Sequence, residues 1–224
     1  MRKYKKLVLI LVIFLISSKW GWSDNLKVHF IDVREGDAIL VQYEGENYLI
    51  DSGRNLSSNK LINYVDSVGA NNINACLLTH PDFDHYAEFE DFIESDLFVI
   101  EKFIVNKDIN TNVSYVRLMN LIQSENIPID SVDYMYDLNW SMTTDILSPN
   151  YDNGNSRTRL RTATTRQDNS NSIVIKMNLG AVGVLLTGDS ETENNQYLLD
   201  EYDLDVEVLK VSHHGAFYSF PSVS

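Results

Sequence analysis

Four side chains able to bind a metal fall within six residues at His80-Pro81-Asp82-Phe83-Asp84-His85. The stretch follows the apolar run Ala75-Cys76-Leu77-Leu78 and Thr79 directly. Imidazoles and carboxylates at alternate positions, emerging from a strand end, can hold two adjacent divalent metals. Such a pair turns water into a nucleophile at neutral pH and clamps a phosphoryl or acyl oxygen. Polar loops rich in Asp and His are common, but they seldom carry this H-x-D-x-D-H spacing. The residues point to a metallohydrolase, or to a descendant of one.

Three further signals stand at the ends of apolar runs: Asp51-Ser52-Gly53, Gly188-Asp189 and His213-His214-Gly215. Loops at one rim of a sheet sandwich can converge on a single site while rigid strands hold them in place. Each Gly lets the backbone turn tightly beside its carboxylate or imidazole.

The elements that must position these groups are legible from periodicity. Leu26 to Asp32 alternates as a strand, with Val28, Phe30 and Val33 as expected core positions and His29 as a structural residue. Ala38 to Tyr43 and Asn47 to Asp51 read as two strands joined by a hairpin-type turn around Gly45. Leu61 to Val68 reads as an amphipathic helix and Asn74 to Thr79 as a short buried strand. A helix is expected from Ala87, a strand over Phe98 to Val105, and a helix over Val113 to Ser124, with an extended piece from Ile127. Ser148 to Ser170 is polar and aperiodic. Strands then follow at Ser172 to Met177 and Val182 to Thr187, a helix at Glu191 to Glu201, and a strand at Val206 to Val211. Strands in two groups with helices between them predict a layered α/β domain.

A chain of 224 residues, 44% hydrophobic and 22% charged, suits one globular domain with a large core. Its one cysteine, Cys76, excludes an intramolecular disulfide framework and is expected to be a buried, inert thiol. Residues 1–23 stand apart. Arg2, Lys3, Lys5 and Lys6 precede the apolar run Leu7 to Ile16, and Gly21 and Ser23 offer small residues before Asp24. This layout predicts an export signal with a mature domain over 24–224, or an anchor if it is not cleaved. The apolar run is short beside the roughly 20 residues of a membrane span. The net charge of −14 becomes more negative without this basic segment, and such a surface repels polyanions in general.

Taken together, the motifs resemble the metallo-β-lactamase superfamily, and within it the hydrolase domain of the competence-protein ComEC type. The resemblance runs from about Leu26 to Ser219. It rests on Ile31-Asp32-Val33 followed by Gly36-Asp37-Ala38-Ile39-Leu40, Leu49-Ile50-Asp51-Ser52-Gly53, and Leu78 to His85 with Asp82 in place of the usual second histidine. It continues through Asn171-Ser172-Ile173-Val174, Leu185 to Asp189, and Val208 to Gly215. The resemblance implies an αββα four-layer sandwich. It also implies that His80 and Asp82 bind one metal, Asp84 and His85 a second, and that Asp189 bridges them, with Asp51 orienting the motif loop. Asp84 would orient a metal-bound hydroxide, and His213 or His214 would stabilise or protonate a leaving group. The two ions would be manganese or zinc, with the carboxylate-rich ligand set leaning toward manganese.

The substrate implied by the family is a phosphodiester, with nucleic acid a candidate. Arg157, Arg159, Arg161 and Arg166 are candidate phosphate contacts inside the polar stretch, although no aromatic residues are interleaved for base stacking. Departures from the ComEC pattern lie at the rim. Arg34 and Glu35 replace its Gly and Gln in the first motif, Tyr86-Ala87-Glu88-Phe89 replaces a glycine-bearing stretch, and Ala216 stands where Ser is common. The family continues beyond His-His-Gly to a late Gly-His-Pro segment, whereas this sequence reaches Ser224 without one. The expectation is a sandwich lacking its last strand and helix, with an edge that a partner chain could cover. The alternative function is a catalytically impaired binding module on the same fold, or a truncated remnant of it.

Overall fold

Alternation along the strands sorts the apolar side chains into separate cores. A computed structural model of the chain describes residues 25–54, 59–150, 162–163 and 169–219. The first sheet holds β1 (Lys27–Phe30), β2 (Ile39–Tyr43), β3 (Glu46–Ile50), β4 (Ala75–Leu77), β5 (Phe103–Asn106) and β6 (Ile129–Val132), in that spatial order. Its first three strands are antiparallel and β3 to β6 run parallel. The second sheet holds β7 (Thr143–Ser148), β8 (Val174–Leu179), β9 (Val182–Leu186) and β10 (Val208–Lys210), with only β9 and β10 parallel.

Leu40, Leu49, Cys76, Phe103 and Val105 point to one face of the first sheet, where they meet the helices. These are α1 (Lys60–Ser67), α2 (Phe83–Tyr86), α3 (Phe89–Glu94) and α4 (Val113–Ser124). Their neighbours Ile39, Val41, Tyr48, Ile50, Leu77 and Ile104 point the other way and pack on Ile146, Ile175, Met177, Val184 and Leu186 of the second sheet. Val174 and Leu185 face outward again, onto Leu198 of α5 (Thr192–Glu201). A strand covered on both faces needs a continuous apolar run, and that is why Ala75 to Leu78 carries no polar residue. The result is an αββα sandwich, with α5 the only helix on the outer face of the second sheet among the described residues.

The strand between α3 and α4 is broken. Val99–Ile100 pairs with Asn72–Ile73, and Phe103–Asn106 pairs with β4 and β6, so Phe98 to Val105 is two strands rather than one. Strand β7 escaped the periodicity reading because Thr143 to Asp145 are polar and only Ile146 to Ser148 are fully buried. Phe30 is not a core residue: it is 53% exposed on the edge strand β1, whereas Val33 is buried. His29 bonds Tyr64 Oη at 2.9 Å and Gln42 Oε1 at 3.1 Å, and Cys76 is fully buried. Burial raises the Cys76 thiol far above its ordinary range. Residues 1–23 and the four arginines Arg157, Arg159, Arg161 and Arg166 lie outside the described residues. Among the described residues no helix is long and apolar enough to cross a membrane.

Candidate metal centre

The C-terminal ends of β3, β4, β9 and β10 open onto one rim, and each delivers a polar group there. Asp51 follows β3 in a left-handed conformation (φ 55°) and is buried. Its Oδ1 accepts the Thr79 N–H at 2.8 Å, and its Oδ2 accepts both the Thr79 hydroxyl and His85 Nδ1–H at 2.8 Å. The Thr79 hydroxyl, having donated to Asp51, can accept from His80 Nδ1–H at 3.0 Å. One buried carboxylate thus fixes both imidazoles, the first directly and the second through Thr79. In each ring Nε2 is left facing the rim, buried and without a hydrogen-bond partner.

Asp189 is the hub of the cluster. Its Oδ2 lies 3.3 Å from His85 Nε2, 3.3 Å from His214 Nε2, 3.8 Å from His213 Nε2 and 4.0 Å from His80 Nε2. The backbone reaches this position through Gly188 (φ +52°), where a Cβ would meet Ser172 Cβ at 2.9 Å and Thr79 Cβ at 3.1 Å. Asp82 caps α2 without a side-chain cap bond, so its carboxylate stays available, 3.8 Å from His80 Nε2. Asp84 Oδ2 lies 4.0 Å from His85 Nε2 and 3.6 Å from His214 Nε2. His213 and His214 both adopt left-handed backbone (φ 48° and 52°), which turns the pair back over the rim. His213 Nδ1 is held 3.2 Å from Asn169 Nδ2.

Sequence reasoning missed three members of this cluster. Asp37 brings Oδ1 to 3.5 Å from His214 Nδ1, and the donor atoms of Asp37, His85, Asp189 and His214 all lie within 4.8 Å of one another. The signal for Asp37 was its place at the end of the Asp32 to Asp37 motif. Thr79 and Lys210 carried no such signal. Lys210 is 7% exposed, donates to Gly188 O at 2.7 Å, pairs with Asp37 Oδ2, and lies 3.5 Å from Asp189 Oδ1. At the rim, Arg34 holds φ 72° where the ComEC type has a glycine. The neighbouring replacement, Glu35, ties its loop to Arg54 by an ion pair at 2.5 Å and by its carbonyl at 3.0 Å.

Three buried atoms of the cluster, His80 Nε2, His85 Nε2 and Asp82 Oδ1, make no hydrogen bond, and two more, Asp37 Oδ2 and Asp189 Oδ1, face the Lys210 ammonium and have no other donor. Buried polar atoms are normally paired, and close carboxylates repel unless a cation lies among them. Imidazole nitrogens and carboxylate oxygens in this mixture suit divalent zinc or manganese. The residues therefore fit divalent metal.

Asp51→Asn tests the shared anchor. The amide offers one acceptor where the carboxylate serves three donors, so one imidazole loses its orientation. Divalent-metal affinity, read by titration calorimetry, is expected to fall roughly 10- to 100-fold; unchanged affinity would remove Asp51 from the site's support.

The charges of the metal-free cluster predict its pH behaviour. Burial opposes a charge on His85, yet Asp51 and Asp189 on either side raise its pKa to about 10. Asp189, Asp37 and Asp84 raise His214 to about 12. Burial and the neighbouring His85 charge hold His80 well below the ordinary range, so this ring is neutral. His214 draws Asp84 down to about 2, while burial pushes Asp82 up to about 7. Burial pushes Asp189 up, but His214 and His85 outweigh it and hold the carboxyl far below the usual range.

The raised imidazoles stabilise the fold fully below about pH 6.5, the unfolded value, and lose that contribution as pH rises through 10 and then 12. Asp84 contributes above about pH 4 and loses its share as pH falls toward 2, whereas the cost from Asp82 grows from about pH 4 to 7 and is full above about 7. The chelator-treated protein is thus expected to melt highest between about pH 4 and 6.5. Metal needs unprotonated Nε2 atoms, so added metal shifts that optimum upward. Melting curves from pH 4 to 9 check both points, and a flat profile without metal would count against this charge arrangement.

A sequence model described as the metallo-beta-lactamase superfamily matches residues 31–219. ComE operon protein 3 of Bacillus subtilis is 25% identical over 229 residues, covering 92% of this chain and 27% of that protein. Recombination protein 2 of Haemophilus influenzae is 26% identical over 212 residues, covering 92% of this chain and 23% of that protein. The chain thus spans about a quarter of the length of these relatives. Among solved structures, the metallo-β-lactamase GOB-18 from Elizabethkingia meningoseptica is similar with a TM-score of 0.55 at 15% identity, covering 85% of this chain and 75% of that one. At that identity the likeness concerns the fold.

Proposed function

The chain belongs to the metallo-β-lactamase superfamily, and from that premise we propose that it is a metal-dependent phosphodiesterase, with nucleic acid among its candidate substrates. The observation that carries this reading is the convergence of unpaired, buried donor atoms of His80, Asp82 and His85 on Asp189. Two divalent ions held there would activate water and neutralise charge developing on a phosphoryl oxygen. His80 and Asp82 would hold one ion and Asp84 and His85 the other, with Asp189 shared and Asp37 and His214 beside the second. Asp84, partly exposed at the mouth, would orient the attacking water. His213 accepts from Asn169 at Nδ1, which leaves its proton on Nε2, toward the cluster, available to a leaving oxygen. The reading includes export or anchoring through residues 1–23, and N-terminal sequencing of exported protein is expected to begin at Asp24.

The test uses the full chain, stripped with chelator and reloaded with Mn²⁺ or Zn²⁺. Substrates are bis(p-nitrophenyl) phosphate and linear DNA, with nitrocefin as the β-lactam comparison. About two metals per chain and metal-dependent phosphodiester cleavage, both lost in His80→Ala, are expected. Metal binding with nitrocefin turnover alone would move the substrate class. A folded chain without metal would end the hydrolase reading, and metal-free binding of a polyanion would then favour a binding module.

A further inference from the structure

Among the described residues Lys210 is the one lysine buried within this cluster, and its surroundings explain how it is tolerated there. A buried ammonium is costly unless paired and fully hydrogen-bonded. Its ammonium donates to Gly188 O, forms an ion pair with Asp37 Oδ2, and lies 3.5 Å from Asp189 Oδ1. The backbone is fixed as well. Lys210 pairs in register with Leu186 across β9 and β10, and its carbonyl accepts the Thr187 hydroxyl at 2.7 Å. A lysine that clamps a substrate would stand in the open mouth, with its ammonium free. This one is 7% exposed and bonded to a main-chain carbonyl. The two carboxylate oxygens it faces, Asp37 Oδ2 and Asp189 Oδ1, are buried and have no hydrogen-bond donor besides this ammonium, hence are the oxygens an entering metal would use.

We propose that the Lys210 ammonium is a resident cation of the metal centre, holding Asp37 and Asp189 together before metal arrives and competing with divalent metal for their oxygens. It is a positioning residue: it touches no reacting atom and acts through the carboxylates. The arrangement rests on the metal-binding reading above and adds a consequence to it. Two like charges sharing a pair of carboxylates repel, so Lys210 weakens metal binding while stabilising the metal-free fold.

Lys210→Met keeps the apolar stem and removes the charge. Calorimetric titration of the chelator-treated full chain with Mn²⁺ and with Zn²⁺ is expected to show binding roughly tenfold tighter, or more, than wild type. Metal-free Lys210→Met is expected to melt lower than wild type, and excess metal to recover the difference. If the variant is unfolded without metal, excess Mn²⁺ is expected to restore its circular dichroism. Failure of metal to restore the fold would overturn the proposal, because metal is then no substitute for the ammonium. A folded Lys210→Met with unchanged or weaker metal affinity would also overturn it. Wild type that binds no metal would instead defeat the metal-centre reading itself.

Discussion

Asp189→Ala is expected to reduce bound metal from about two ions per chain to less than one and to lower phosphodiester turnover roughly 10³-fold. The expectation follows from position. Among the described residues, Asp189 is the one side chain within 4.0 Å of all four histidines at the rim, and its carboxylate also faces Lys210. Removing an outlying ligand such as Asp82 leaves the remaining donors able to hold one ion. Removing Asp189 would take away the oxygen the two ions are proposed to share and leaves His85, His214 and Lys210 with Asp37 as their remaining common carboxylate. Losing about 4 kcal/mol of electrostatic stabilisation in the transition state corresponds to the stated drop in rate. Elemental analysis and bis(p-nitrophenyl) phosphate hydrolysis on the same preparation read both effects. Retention of both metals would show that Asp189 does not bridge them.

Gly36→Ala should be nearly as damaging, although it removes no donor. Gly36 sits at φ +87°, and a Cβ there would lie 1.6 Å from the carbonyl oxygen of Asp84. Both partners are backbone, so no rotamer change relieves the clash. Either the loop carrying Asp37 or the helix turn carrying Asp84 and His85 must move, and each carries part of the centre. A stability loss of about 3 kcal/mol or more is expected, with metal affinity lost alongside it. Gly45→Ala is the control. Gly45 has a similar φ of +84° in the turn between β2 and β3, but nothing lies within 4 Å of the added carbon. It is expected to cost only about 1 kcal/mol and to bind metal normally. Equal effects of the two substitutions would mean that left-handed strain, rather than the contact with Asp84, governs Gly36.

What could be read along the chain was local. The spacing of His80, Asp82, Asp84 and His85 sets donor types within one strand end and one helical turn, so no distant contact is needed to see it. The apolar runs around Ile39 to Val41 and Phe103 to Val105 marked strands, and the structure shows that their side chains are buried on both faces of the sheet. The order of the family motifs then carried the αββα architecture. Neither Thr79 nor Lys210 was legible, since a threonine at a strand end and a lysine in a β-rich segment are ordinary residues in isolation. They become part of the centre only because β4 of one sheet and β10 of the other open onto the same rim, where Asp51 and Asp189 await them. The same packing recruited Asp37, left Phe30 at an open edge, and split the strand expected over Phe98 to Val105. Spacing along the chain sets which donors share a loop. Which donors share a metal depends on how the sheets are laid against each other, because coordination is decided over a few ångströms between residues more than a hundred positions apart.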